Sequence, residues 1–164
     1  MSRRRVASLA LFFLAADAAF GSTILPLKLD DLATRAESVV VGTVADVTPR
    51  YNDARTLILS DITVAVDQTI VGAKASYVTV SEYGGRIGDV ELVVPGLPRF
   101  QTGDRVVLFV CRDALGLART CGAVQGRFRV VEGRALGVTA DGPIDEPLAT
   151  LTTRVRSLRA GGAR

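Results

Sequence analysis

Asp61-Ile-Thr-Val-Ala-Val-Asp-Gln-Thr-Ile70 is the stretch that decides the fold. Ile62, Val64, Val66 and Ile70 fall on one side of a period-two pattern, and Asp61, Thr63, Asp67 and Thr69 on the other. Ala65 and Gln68 are mild exceptions. Such alternation fits a β-strand with one face on a core and one toward water, because successive side chains of a strand point to opposite faces. Upstream, Val39-Val-Val-Gly-Thr-Val-Ala-Asp-Val47 is β-branched and apolar on both faces at its start, which predicts a central strand. Gly42 inside it predicts a bulge or sharp bend.

Working outward, further strands are expected at 77–82, 90–94, 105–111, 120–124, 127–131 and 135–138, punctuated by Gly and Pro turns. Gly84-Gly85 ends the first of these, and Glu132-Gly133 reads as a hairpin turn. Asp141-Gly142-Pro143 breaks the sheet pattern. Two segments have helical spacing. In 29–37, Leu29, Leu32, Ala33 and Ala36 share a face, with Asp30 and Asp31 in the first turn, where the helix dipole favours anions. In 147–160, Leu148, Leu151, Val155 and Leu158 form a stripe, with Asp145 as candidate N-cap. The expected architecture is mainly β: a small antiparallel OB-like barrel, or alternatively a β-sandwich, with a short N-terminal helix and a C-terminal helix.

The chain has 164 residues, enough for one domain. Residues 1–21 read as a signal peptide: Arg3, Arg4 and Arg5 precede an apolar run, and Ala19-Phe20-Gly21 sets small residues before a cut at Ser22. Cleavage after Ala18 is the alternative. The domain then covers 22–164, and no integral membrane segment is expected after cleavage. Loss of Arg3, Arg4, Arg5 and Asp17 takes 20 basic and 17 acidic residues to 17 and 16, a net charge of +1. The expected location is periplasmic or secreted. In such a compartment Cys111 and Cys121 are expected to pair as a disulfide across a hairpin connection.

Composition excludes whole classes of chemistry. The chain contains no histidine, which removes His-dependent triads, imidazole proton shuttles and His metal sites. Two cysteines cannot make a four-thiolate zinc site. Neither GxxxxGK[ST] nor GxGxxG occurs, and Lys28 and Lys74, the two lysines, show no Ser–Lys dyad spacing. Asp141, Asp145 and Glu146 lack EF-hand spacing and read as a turn followed by a helix cap. No metal, no cofactor and no catalytic residue is expected.

Two stretches are candidate binding surfaces. In Ser81-Glu82-Tyr83-Gly84-Gly85-Arg86 the adjacent glycines let the backbone approach a ligand, and Tyr83 and Arg86 supply stacking and charge, against which stands a plain glycine-rich hairpin loop. The Pro95-Gly-Leu-Pro-Arg-Phe100 connection is similar, with Phe100 expected to plug the barrel. Arg127 and Arg129 flank Phe128 and invite a base-stacking reading. Alternation puts Phe128 on the opposite face from both arginines, and with the small net charge this argues against nucleic acid as partner.

Taken in order, Leu32-Ala-Thr-Arg-Ala-Glu-Ser-Val-Val-Val-Gly-Thr-Val44, Ile62-Thr-Val-Ala-Val66, Val71-Gly72, Gly84-Gly85, Val94-Pro-Gly-Leu-Pro-Arg-Phe100, Gly103-Asp-Arg-Val-Val-Leu-Phe109 and Gln125-Gly-Arg-Phe128 resemble an uncharacterised family of exported bacterial proteins with a small β-barrel domain. The resemblance spans about two-thirds of the chain and implies a fold, since the family carries no agreed activity. A weaker similarity runs to netrin-like barrels, including the tissue inhibitors of metalloproteinases. Those begin with a cysteine whose amino group and carbonyl bind the protease zinc; here no cysteine precedes Cys111, which counts against that mechanism. The resulting expectation is an exported, non-enzymatic binding or protein-interaction module, its partner a protein or envelope component. An inhibitor of a secreted protease is the alternative, and a carboxylate-dependent hydrolase the third reading.

Overall fold

The computed structural model describes residues 25–162; the expected signal peptide, residues 1–21, lies outside them. Chain order is α1 (Leu29–Arg35), β1 (Ser38–Tyr51), β2 (Ile58–Val71), β3 (Tyr77–Tyr83), β4 (Gly85–Ile87), β5 (Val90–Leu92), β6 (Arg105–Arg112), β7 (Ala118–Thr120), a 3-10 turn (Ala123–Gly126), β8 (Arg127–Val131), β9 (Arg134–Thr139), β10 (Gly142–Pro147) and α2 (Leu148–Gly161). The protein is mainly antiparallel β with a helix near each end, as the patterning predicts.

Eight strands form one sheet in the order β10-β9-β8-β6-β1-β2-β3, with β7 also paired to β6; β4 and β5 form a separate hairpin. Strand β6 thus carries two partners on one edge. Its residues Val110 to Arg112 face β7, and Val106 to Leu108 face β8. The chain between the two partners makes a six-residue excursion, 121–126, that holds the 3-10 turn.

Along β3-β2-β1-β6-β7 every pairing is antiparallel, so β7 runs parallel to β3. That circular order is OB-like. No backbone ladder joins β3 to β7, and side chains bridge the gap instead. The Thr120 amide donates to Glu82 Oε1 at 2.6 Å, and the Arg119 guanidinium donates to the Ser81 carbonyl. The barrel is therefore sealed along one seam by side chains of β3 and β7.

Two cores follow from the strand alternation. Val40, Val44, Ile62, Val64, Val80, Val106, Leu108 and Val110 fill the barrel. On the other side of the same strands, Val39, Val41, Val107 and Phe109 meet Phe128 of β8 together with Leu32 of α1 and Leu151 and Val155 of α2. Strands β1 and β6 are therefore buried on both faces, which explains their nearly continuous apolar runs. The Phe109 and Phe128 rings stand 5.7 Å apart and tilted, a favourable aromatic arrangement. Gly42 coincides with a register shift between β1 and β2, and a Cβ there would strike the Ala65 carbonyl. The expected bend is present.

Several local expectations need correction. The expected 120–124 strand ends at Thr120, because the Cys121 amide binds the Phe109 carbonyl and Gly122 and Ala123 then adopt positive φ. Residues 142–147, read as a break and a cap, form β10. As the edge strand of the sheet it accommodates Pro143, which has no N–H to donate. Asp145 is accordingly not an N-cap; it lies within β10 opposite Leu136 and is held by Arg134 at 2.6 Å, while Pro147 occupies the cap position. Helix α1 stops at Arg35 rather than 37, since Ala36 is already extended ahead of the β-branched run.

The Cys111–Cys121 disulfide is formed, with 5.1 Å between the Cα atoms. It ties the end of β6 to the start of the excursion. Among the described residues no helix is long and apolar enough to cross a membrane.

Candidate functional site

The alternation that builds β3 turns Val78, Val80 and Glu82 inward and Tyr77 and Thr79 outward. Just past Tyr83 the chain crosses the barrel mouth. The Gly84 amide donates to the Ile58 carbonyl at 2.8 Å, and the Ser60 hydroxyl donates to the Gly84 carbonyl at 2.8 Å. Gly85, at φ +132°, sits so close to Ser60 Oγ and Pro49 that a Cβ would not fit. The adjacent glycines therefore serve a tight crossing, and the expected loop is instead the first strand of the β4–β5 hairpin, clasped by an Arg86–Glu91 ion pair at 2.6 Å.

Residues 93–101 return over the same mouth. The Val124 amide, in the 3-10 turn, donates to the Gly96 carbonyl at 3.2 Å, and the Gln101 amide donates to Asp104 Oδ2 at 3.1 Å. Phe100 packs against the barrel core, as expected of a plug. Between barrel wall and returning chain lies a groove of about 330 Å³. Val47, Pro49, Ser60 and Ile62 form its wall, Glu82 to Arg86 one rim, and Glu91 to Gln101 the cover. The two surfaces singled out separately in the sequence thus meet across one groove.

Glu82 is its chemical centre. The residue is only 5% exposed. Burial pushes its carboxyl above the ordinary value, with the Thr120 amide and the charge of Arg119 acting the other way. Among the described residues no cation lies within 4.0 Å of it. Arg119 is engaged elsewhere: its Nε donates to Asp113 Oδ2 at 2.9 Å, a second nitrogen holds the Ser81 carbonyl, and its guanidinium lies 4.4 Å from the Tyr83 ring centre. On the other face of β3, Ser81 and Arg50 donate to Asp61; burial works to raise that carboxyl, and these bonds outweigh it and hold it below its ordinary value.

The arginine pair divides. Arg127 lies 5.1 Å from the Phe100 ring centre and donates to Asp104 Oδ2 at 2.8 Å, so it props the cover from behind rather than facing a ligand. Burial lowers its basicity, with Asp104 opposing that effect. Arg129 is exposed and lies outside the groove. Gln125, in the same motif, is a structural clasp that accepts the Leu27 amide at 2.7 Å and donates to the Leu25 carbonyl at 3.0 Å.

Glu82 falls inside the 81–86 stretch singled out in the sequence, but without a role of its own. Its signal is phase: it falls two residues after Val80 on the inward side of an alternating strand, where a carboxylate is out of place. Among the described residues no cluster of His, Cys, Asp and Glu suited to a metal ion occurs. A scan against protein-family models finds no match for the chain, and a search of the curated proteins finds none either.

Proposed function

We propose that the chain is an exported binding module whose ligand enters the groove at the barrel mouth. One observation carries the reading. Two neighbouring segments, 82–86 and 91–101, are fixed by hydrogen bonds into a preformed concavity of ligand size, with an apolar wall and a rim that carries Glu82, Arg86, Glu91 and Arg99. The export signal read at residues 1–21 and the disulfide both fit an oxidising compartment. The resemblance to exported barrel proteins noted in the sequence accords with the same reading.

The test is a small-fragment screen followed by backbone amide NMR on the protein lacking residues 1–21. Binders should perturb amides of 82–86 and 91–101 first. Perturbation confined to the helical face would overturn the assignment.

A protease-inhibitor reading has one observation in its favour. Leu115 is 81% exposed at the tip of the disulfide-tied β6–β7 connection. The Leu115 and Leu117 amides are both held by Asp113 Oδ1, at 2.9 and 3.0 Å, and this leaves the tip a closed turn rather than a substrate-like extended strand. Groove binding is therefore preferred, and a panel of secreted proteases assayed with and without equimolar protein decides between the two.

A further inference from the structure

The groove has a charge problem at its inner end. Glu82 is 95% shielded from water by its surroundings, has no cation within 4.0 Å among the described residues, and accepts one hydrogen bond, from the Thr120 amide to Oε1. The Thr120 side chain also acts on this carboxyl, and its buried hydroxyl has no other partner among the described residues; no cation joins them, and Glu82 lines the groove. Buried carboxylates are normally paired, because the lost hydration must be replaced. Arg119, whose charge reaches Glu82, is fixed on Asp113, the Ser81 carbonyl and the Tyr83 ring, and Arg99, on the exposed cover of the groove, makes no ion pair with Glu82. Glu91, the groove's other acid, is already paired with Arg86.

The geometry points to Glu82 as the recognition group for an amphiphilic cation: an alkyl stem lying along Val47, Ile62 and Leu97, ended by an ammonium or guanidinium that meets the uncompensated carboxylate. This rests on the groove-binding reading above and names its ligand class. The stem replaces water against the apolar wall, and the head supplies the missing counter-charge. A free amine and the side chain of a lysine or arginine presented by a partner protein share this chemistry. Neutral isosteres lack the charge, and anions would meet Glu82 repulsively.

The experiment uses the protein lacking residues 1–21 at pH 8, titrated by calorimetry with agmatine, 1,5-diaminopentane, 1-pentanol and a capped pentapeptide with central lysine. Saturable binding of the amines, absent for 1-pentanol and weakened at least tenfold by Glu82→Gln, is the expected result. In parallel, the Glu82 side-chain carboxyl ¹³C resonance of the unsubstituted protein should move with saturation. That measurement stands even if the variant does not fold. Peptide binding as tight as that of the amines assigns the site to a partner's side chain, and binding of the amines alone assigns it to a small molecule; both uphold the proposal. Equal binding of 1-pentanol, no effect of Glu82→Gln, or a static Glu82 resonance overturns it while leaving groove binding intact. If neither these probes nor the fragment screen perturbs the groove, the binding reading itself fails.

Discussion

Replacing both Cys111 and Cys121 by serine tests how the barrel is tied to its excursion. The two residues are ten positions apart, so the bridge closes a small loop. For a loop of this length the chain-entropy relation gives about 9 cal/mol/K, or about 2.7 kcal/mol at 25 °C, removed from the unfolded ensemble. The loop is already a formed hairpin in the native state, with Asp113 and Leu117 paired, so little native strain is expected to offset this gain. Urea unfolding followed by circular dichroism is the assay. With a slope of roughly 1–3 kcal/mol/M, the midpoint should fall by roughly 1–3 M, and the slope should rise because the uncrosslinked chain exposes more surface when unfolded. Coincident curves for the oxidised protein and the double variant, with the bridge verified by thiol titration, would refute the reasoning.

Three further outcomes are expected. Gly85→Ala forces a Cβ against Ser60 at a positive φ, so it should destabilise the protein by about 1–3 kcal/mol and shift amide resonances of the β4–β5 hairpin, read by urea melts and NMR. Arg119→Met removes the Ser81 bridge, the Asp113 pair and the Tyr83 contact together. A loss of about 1.5–3 kcal/mol is expected, with faster hydrogen exchange in β3 than in β1. Two carboxylates should act oppositely with pH. Asp61 titrates lower folded than unfolded, so its stabilisation is present above its ordinary value and disappears as pH falls through the folded value. Glu82 titrates higher when folded, so the folded state binds the proton first and stability declines as pH rises from the ordinary value through the raised one. Stability measured against pH should lose the first slope in Asp61→Asn and the second in Glu82→Gln.

What could be read directly from the residues was whatever depends on period. The alternation at 61–70 locates β2, the two-sided apolar run at 39–47 puts β1 at the centre, the apolar run at 105–111 locates β6, and the stripe from Leu148 to Leu158 locates α2. Features set by tertiary neighbours were not legible. Pro143 marks a break in local terms, and only its edge position lets 142–147 pair with β9. The apolar character of 120–124 suggests a strand, but the bond from the Cys121 amide to Phe109 and the left-handed backbone after it turn the chain away. For the site, Tyr83 to Arg86 and the 95–100 connection were visible as unusual stretches, but their meeting across the barrel mouth was not. Glu82 lies in the same 81–86 stretch, but its burial at the barrel mouth depends on the fold around it. Arg127 carried the right chemistry for a surface and proved to be a prop behind Phe100.

The wall that separates the two cores is one strand thick, and this governs how the molecule comes apart. Val40 and Val41 are chain neighbours, yet one belongs to the barrel and the other to the layer beneath the helices. Losing the barrel would strip the helices of their floor, and losing the helices would expose the back of β1 and β6, so neither half has a folded state of its own to retreat to. Of the three tyrosines, Tyr77 and Tyr83 lie on β3 and Tyr51 at the far end of β1, and none belongs to the layer beneath the helices. Tyrosine emission and helical ellipticity therefore watch different halves, and their denaturation curves should superimpose as a single transition.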